Sequence, residues 1–178
     1  MALPLFVLAV IAGLMLAELR VSRRHESELR TLGAIQPSGD VYPVMSVLYP
    51  VVFILMGVEG AYRAWIAGPD AGPGMFFLSG VLLFVVSKGL KYWAIGALGV
   101  RWSFRVFVVP GMPLVTSGPY RYITHPNYVA IVGELVGAAM MMNAVVTGPI
   151  GLLAFGLTLL ARIRFEDRVL AAYRARQS

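Results

Sequence analysis

VAIVGELVGAAMMMNAVVTGPIGLLAFGLTLLA, residues 129–161, contains one charged residue, Glu134. A membrane-spanning helix needs about 20 apolar residues, with a range of about 17 to 25. The stretch is too long for one straight span, and Thr147-Gly148-Pro149 falls mid-way. Glycine and proline in sequence break helices, so the spacing predicts a helical hairpin. Its fourth helix should start near Pro126 and its fifth near Pro149.

Three apolar segments precede the hairpin. The first is MALPLFVLAVIAGLMLA, before Glu18; its basic residues, Arg20, Arg23 and Arg24, follow it. A secretory signal carries its positive charge ahead of the apolar run, so this segment reads as a retained helix. The second runs from Val41 to about Val58, with Pro43 near its start and Pro50 as a kink. The third runs from about Met75 to Leu98 and carries Lys88 and Lys91; GPDAGPG lies between the second and third as a tight turn.

Composition agrees. Of the 178 residues, 58% are hydrophobic and 13% charged, whereas a soluble domain carries about 25% charged residues. The expected fold class is all-α: a membrane bundle of about five transmembrane helices with a C-terminal helical hairpin and a cytoplasmic cofactor pocket. It forms a single membrane domain over residues 1–178. Residues 1–98 supply three helices; residues 99–178 supply a motif loop, the hairpin and a tail. With no cysteine, disulfides and thiolate metal sites are excluded. The net charge of +6 clusters beside apolar segments, which fits membrane lipid headgroups and not nucleic acid.

Five spans put residues 20–40, 99–125 and the segment from Arg162 onward on one side. Those segments hold nearly all the arginines, including Arg30, Arg101, Arg105, Arg121, Arg164, Arg168, Arg174 and Arg176. Arg63 alone lies near the other side. Arginine-rich loops stay in the cytoplasm, so the N-terminus is expected outside and the C-terminus inside, in a multi-pass protein of a bacterial inner membrane.

Two polar clusters then flank the hairpin at one face: GPYRYITHPNY, residues 118–128, and RIRFEDRVL, residues 162–170. A hairpin brings its ends together, so His125 and Glu166 should be neighbours. Pro119 fixes a turn and Pro126 suits a first helical turn. The free amides of that turn attract an anion, with Arg121 and His125 as side-chain donors. Tyr120, Tyr122 and Tyr128 offer faces for a base or a cation. Glu166 and Asp167 can accept hydrogen bonds from a diol or an ammonium group. A zwitterionic amino-acid nucleotide could use all three kinds of group.

LVTSGPYRYITHPNY followed by RIRFED resembles the C-terminal signature of the isoprenylcysteine carboxyl methyltransferase family. Gly118, Pro119, Tyr120, Arg121, Tyr122, His125, Pro126 and Tyr128 match its first half; Arg162, Glu166, Asp167 and Leu170 match its second. Thr124 stands where an arginine is usual, and Ala130 where a glycine is usual. The resemblance implies an integral membrane enzyme that uses S-adenosyl-L-methionine. It implies a cofactor site around Tyr120, Arg121, His125, Pro126, Asn127, Tyr128, Glu166 and Asp167, with Arg162 orienting the acceptor. The upstream LGVRWSFRVFVVPGMPLV is similar to bacterial relatives acting on lipidic polyketides such as alkylpyrones. The acceptor would therefore be a lipophilic small molecule or a prenylated group, methylated on a carboxylate, enol or phenol oxygen.

Glu134 lies about two turns into the fourth helix, at hydrocarbon depth, where a carboxylate is costly and usually functional. It shares a face with Asn127, so it is expected either to act as a base lining the site or to pair with Lys88 or Lys91. The remaining features have plainer readings. Tyr122 is an interfacial anchor; Met140 to Met142 are packing residues; Gly80, Gly133 and Gly137 mark close helix contacts. Arg101 and Arg105 bind lipid phosphate or anchor their loop. Two rival functions share parts of the pattern: an NADPH-dependent membrane reductase of the sterol reductase type, which also carries HPNY, and a non-catalytic membrane subunit. The sequence carries no signal for an oligomeric state.

Overall fold

The computed structural model describes residues 2–69 and 72–174. Asp70, Ala71, Arg176 and the side chain of Arg174 lie outside the described residues. Five helices follow in order: α1 (Ala2–Thr31), α2 (Tyr42–Ala67), α3 (Phe77–Leu98), α4 (Pro126–Met141) and α5 (Thr147–Arg174). Short 3-10 turns at Gly99–Arg101 and Gly118–Arg121 bracket the long α3–α4 connection. The described residues form no named strand; one antiparallel bridge joins Ile35 to Val108.

Four helices are long and apolar enough to cross a membrane; α4, with 16 residues, is shorter. At 1.5 Å per residue it reaches about 24 Å, against a hydrocarbon core of about 30 Å. It sits inside the bundle, with Ala130, Glu134, Leu135, Gly137, Ala138 and Met141 buried. The other helices leave many large apolar side chains exposed, such as Leu78, Leu82, Leu153 and Leu157. In water that surface would be unstable; in hydrocarbon it is the matched solvent.

Several boundaries differ from the sequence reading. Helix α1 continues past Ala17 through Glu18 and the arginines to Thr31, because its charges find partners or solvent without ending the backbone ladder. Helix α2 runs through Pro50 to Ala67, well beyond Val58. The hairpin turn falls before Thr147-Gly148-Pro149. Asn143 takes the left-handed backbone there, at φ 54°, a conformation that asparagine tolerates better than most residues. Pro149 instead occupies the first turn of α5, where its missing N–H costs nothing. Glu59 of α2 caps that helix: its carboxylate accepts the Val146 and Thr147 amides and the Thr147 hydroxyl at 2.7–3.3 Å.

The expected close helix contacts are present. A Cβ on Gly80 would stand 2.8 Å from the Gly137 carbonyl oxygen, and one on Gly137 would stand 2.9 Å from the Gly80 carbonyl oxygen. A Cβ on Gly133 would collide with the Ser87 hydroxyl. Small residues let α3 and α4 approach to backbone contact, as membrane helices do.

One core runs through all five helices, with Ile11, Phe53, Met56, Phe84, Leu135 and Phe155 among its members. Beside it lies a buried polar cluster. Lys88 and Lys91 of α3 reach Glu18 of α1 at 2.5 and 2.8 Å, and Glu134 of α4 at 3.1 and 3.2 Å. The Tyr49 hydroxyl of α2 donates to Glu134 at 2.7 Å. Two acids and two lysines cancel, which is how charge is tolerated at this depth.

At one end of the bundle, the α3–α4 connection docks on α1. The Phe104 amide donates to the Ser22 hydroxyl at 2.9 Å, and a His25 ring nitrogen lies 2.8 Å from the Trp102 carbonyl oxygen. Ile35 and Val108 exchange two backbone hydrogen bonds of 2.8 and 3.0 Å. This end gathers the arginine-rich segments. At the other end Arg63 pairs with Glu59 at 2.9 Å.

Candidate active site

The hairpin closes as its length requires, and the two flanking clusters meet. Tyr128, on the first turn of α4, donates its hydroxyl to Glu166 in a short hydrogen bond. His125 Nε2 lies 3.1 Å from Asp167 Oδ1. The His125 and Tyr128 rings stack at 5.3 Å with planes 23° apart. Both acids lie on the last turns of α5, so a single hairpin holds all four groups.

These groups face open space. A cavity of about 530 Å³ is bounded by Tyr120, Thr124 and His125 from the motif and by Glu166, Asp167 and Leu170 from the tail. Residues 107–109 and 112–116 form its other wall. A smaller recess of about 100 Å³ adjoins it, lined by Trp102, Arg105, Asn127, Tyr128 and Arg162. Arg101, Tyr120, His125 and Glu166 border both. Arg101 is tied to the loop by a 2.5 Å hydrogen bond to the Pro113 carbonyl.

Arg162 is 4% exposed and engaged on every nitrogen. Its Nε donates to the Tyr128 hydroxyl at 3.3 Å and its Nη2 to the Phe104 carbonyl at 2.9 Å. Its Nη1 forms a short ion pair with Asp40, in the connection between α1 and α2. Asp40 in turn accepts the Tyr42 amide at 2.9 Å and the Val106 amide at 3.3 Å. Burial and the nearby Glu166 carboxylate push the Tyr120 hydroxyl far above its usual pKa. It therefore remains a hydrogen-bond donor at any physiological pH.

The expected site residues divide into three groups. Tyr120, His125, Asn127, Tyr128, Arg162, Glu166 and Asp167 come together around the cavities. Pro126 is buried beneath them as the first residue of α4. Arg121 is exposed beside Tyr122, its guanidinium 5.9 Å from that ring centre, and borders neither cavity. Glu134 is 1% exposed, belongs to the lysine cluster and also borders neither cavity. Asn127 and Glu134 share a helical face, but only the first reaches the recess. The helix N-terminus is less open than expected, because the Tyr128 amide in its first turn donates to the His125 carbonyl at 3.1 Å.

Three residues escaped the sequence reading: Asp40, Glu18 and Tyr49. Asp40 did leave a signal, as the lone charge between Leu32 and Val41. Glu18 was hidden by the early end assigned to the first helix. Tyr49 looked like one more apolar residue of a span.

The residues present fit a donor such as S-adenosyl-L-methionine. The side-chain oxygen of Asn127 is buried without a hydrogen-bond partner, an unusual state that an incoming N–H group relieves. Glu166 and Asp167 suit an ammonium group or a ribose diol, Arg101 suits a carboxylate, and the tyrosine faces suit a base. Among the described residues, no group of three or more His, Cys, Asp or Glu could hold a metal ion.

Fold and site together define a helical membrane protein whose pocket, at the arginine-rich end of the bundle, sets Glu166 and Asp167 among largely apolar walls. The model of the Isoprenylcysteine carboxyl methyltransferase (ICMT) family matches residues 80–172, from α3 to the end of the tail motif. The chain belongs to that methyltransferase family. It is 29% identical over 157 residues to the uncharacterized protein YpbQ of Bacillus subtilis, spanning 88% of this chain and 90% of that one. It is 24% identical over 164 residues to an uncharacterized protein of Haemophilus influenzae, spanning 92% of each. A 59-residue segment is 42% identical to the cobalt-zinc-cadmium resistance protein CzcN of Cupriavidus metallidurans, covering 33% of this chain and 27% of that protein. No solved structure matches.

Proposed function

We propose that this protein transfers a methyl group from S-adenosyl-L-methionine to an oxygen of a lipophilic acceptor at the membrane. The observation that carries the reading is the meeting of His125 and Tyr128 with Asp167 and Glu166 beside a cavity of about 530 Å³. When bound, the donor supplies a methyl group on a cationic sulfur, which an acceptor oxygen displaces.

The chain's own residues position and polarise. Glu166 and Asp167 hold the donor's cationic and hydroxyl groups, Asn127 accepts one of its N–H groups, and Tyr120, His125 and Tyr128 flank its ring. Arg101 meets its carboxylate. Glu166 and Asp167 face one arginine, Arg101, in the larger cavity, which favours a cationic group there. Arg162 faces the smaller recess, where the acceptor's reacting group enters. Alignment of an oxygen with the methyl carbon supplies most of the rate enhancement. Glu134, ion-paired and outside both cavities, holds the bundle together in this reading. The pocket faces the cytoplasm because the arginines gather at its end, and the acceptor arrives sideways from the bilayer.

Calorimetric titration of the purified protein with S-adenosylhomocysteine and, separately, with NADPH tests the assignment. Binding of the first and not the second is expected. Selective binding of NADPH would establish the reductase reading, and affinity for neither would support a non-catalytic subunit.

A further inference from the structure

We infer that Asp40 is a specificity-determining residue: by serving as the internal counter-ion of Arg162, it reserves the recess for an acceptor that presents a hydroxyl and turns away one that presents a carboxylate. The inference rests on the methyl-transfer reading above and narrows its acceptor.

Arginine grips a carboxylate best through two parallel N–H bonds along one edge. In this protein Nε is taken by the Tyr128 hydroxyl, Nη2 by the Phe104 carbonyl and Nη1 by Asp40. Asp40 does not sit there by chance of side-chain rotation. Its side chain is 7% exposed, and two backbone amides, Tyr42 and Val106, hold the carboxylate in place. Val106 itself lines the recess, so the same loop that shapes the acceptor's space fixes the counter-ion.

The charge balance points the same way. Glu166 already reaches Arg162 through the shared Tyr128 hydroxyl. Arg101 and Arg105 also border the recess, but Arg101 is tied to the Pro113 carbonyl and Arg105 pairs with Glu26 at 3.5 Å. A carboxylate acceptor at Arg162 would be the third anion around a guanidinium that is already neutralised, in a setting where screening by water is weak. A hydroxyl adds no charge. It can donate to a carboxylate and accept an N–H that Arg162 has to spare.

Methylation of a hydroxyl forms an O–C bond and breaks the S–C bond, whose electron pair stays on sulfur. One proton is released. His125 borders both cavities, and with Nε2–H turned to Asp167 its Nδ1 is left to accept that proton.

The test uses two tritiated probes that share a ring and a tail, 4-decylphenol and 4-decylbenzoate, binding to the full-length protein in detergent without a methyl donor. The wild type should bind the phenol about tenfold or more tightly than the benzoate. Asp40→Asn removes the charge, keeps one oxygen acceptor and loses the other, and should reverse that preference; Asp40→Glu, which keeps the charge and both oxygens, should keep the wild-type order. Equal or tighter benzoate binding by the wild type overturns the inference, and so does an unchanged preference in Asp40→Asn. S-adenosylhomocysteine binding is measured on the same samples. Its loss in the wild type removes the methyl-transfer reading, whereas its presence with the wrong probe preference removes only the role of Asp40.

Discussion

Two buried polar assemblies lie in this bundle, built from the same kinds of side chain and put to opposite use. The deep one joins Glu18, Lys88, Lys91, Glu134 and Tyr49 across four helices. It is neutral and borders neither cavity. The other joins Asp40, Arg162, Tyr128 and Glu166, with His125 and Asp167 beside them. It sets three acids around one buried arginine, with Arg101 and Arg105 nearby, and opens on two cavities. Closure and neutrality mark the first as structural; access to the two cavities makes the second the proposed binding site. Burial of charge alone does not distinguish them.

The sharpest way to break this contrast is to remove a charge from each assembly. Lys91→Met leaves Glu18 and Glu134 with only Lys88 between them. It should destabilise the fold by about 3–5 kcal/mol, since an uncompensated charge is left behind in a dry interior. A large drop in thermal midpoint in detergent is the expected readout, and a near wild-type melt would refute the structural role. Glu166→Ala should do the reverse. Affinity for S-adenosylhomocysteine should fall by about 10- to 100-fold, the range for losing a hydrogen bond to a charged group, while most of the melting temperature is kept. Calorimetry beside a melt separates the two effects.

Smaller effects sharpen the frame that holds the two assemblies apart. Gly80→Val pushes a side chain against the Gly137 carbonyl and should cost about 1–3 kcal/mol by overpacking, read from the same melts. Glu59→Gln weakens the cap on α5 at the far end from the site. It should cost about 0.5–2 kcal/mol and leave ligand affinity as it was. Tyr122→Ala, at an exposed ring, should change neither readout by more than about 0.5 kcal/mol.

The sequence made the hairpin legible because an apolar run too long for one span, flanked by two polar motifs, has few other solutions. From it followed the meeting of His125 with the tail acids. The turn itself was misplaced because Gly148-Pro149 looked like the stronger break. Asn143 takes the left-handed residue, while Pro149 fits a first helical turn and Gly148 makes room for Ala139, against which a Cβ would stand 2.7 Å away. Glu134 could be read two ways because one helix shows its depth but not what faces it; the partners come from α1, α2 and α3. Asp40 stayed hidden for a similar reason. Its role depends on Arg162, on the far side of the chain, and no local pattern announces a pairing over that separation.

The central claim is that the motif loop and the tail build one donor site. A photoreactive azido analogue of S-adenosylmethionine, cross-linked to the purified protein and mapped by peptide mass spectrometry, tests it most directly. The account predicts labelled peptides from both residues 118–128 and residues 162–170, each suppressed by excess S-adenosylhomocysteine. Labelling confined to the opposite end of the bundle, or not displaced by that competitor, would contradict it.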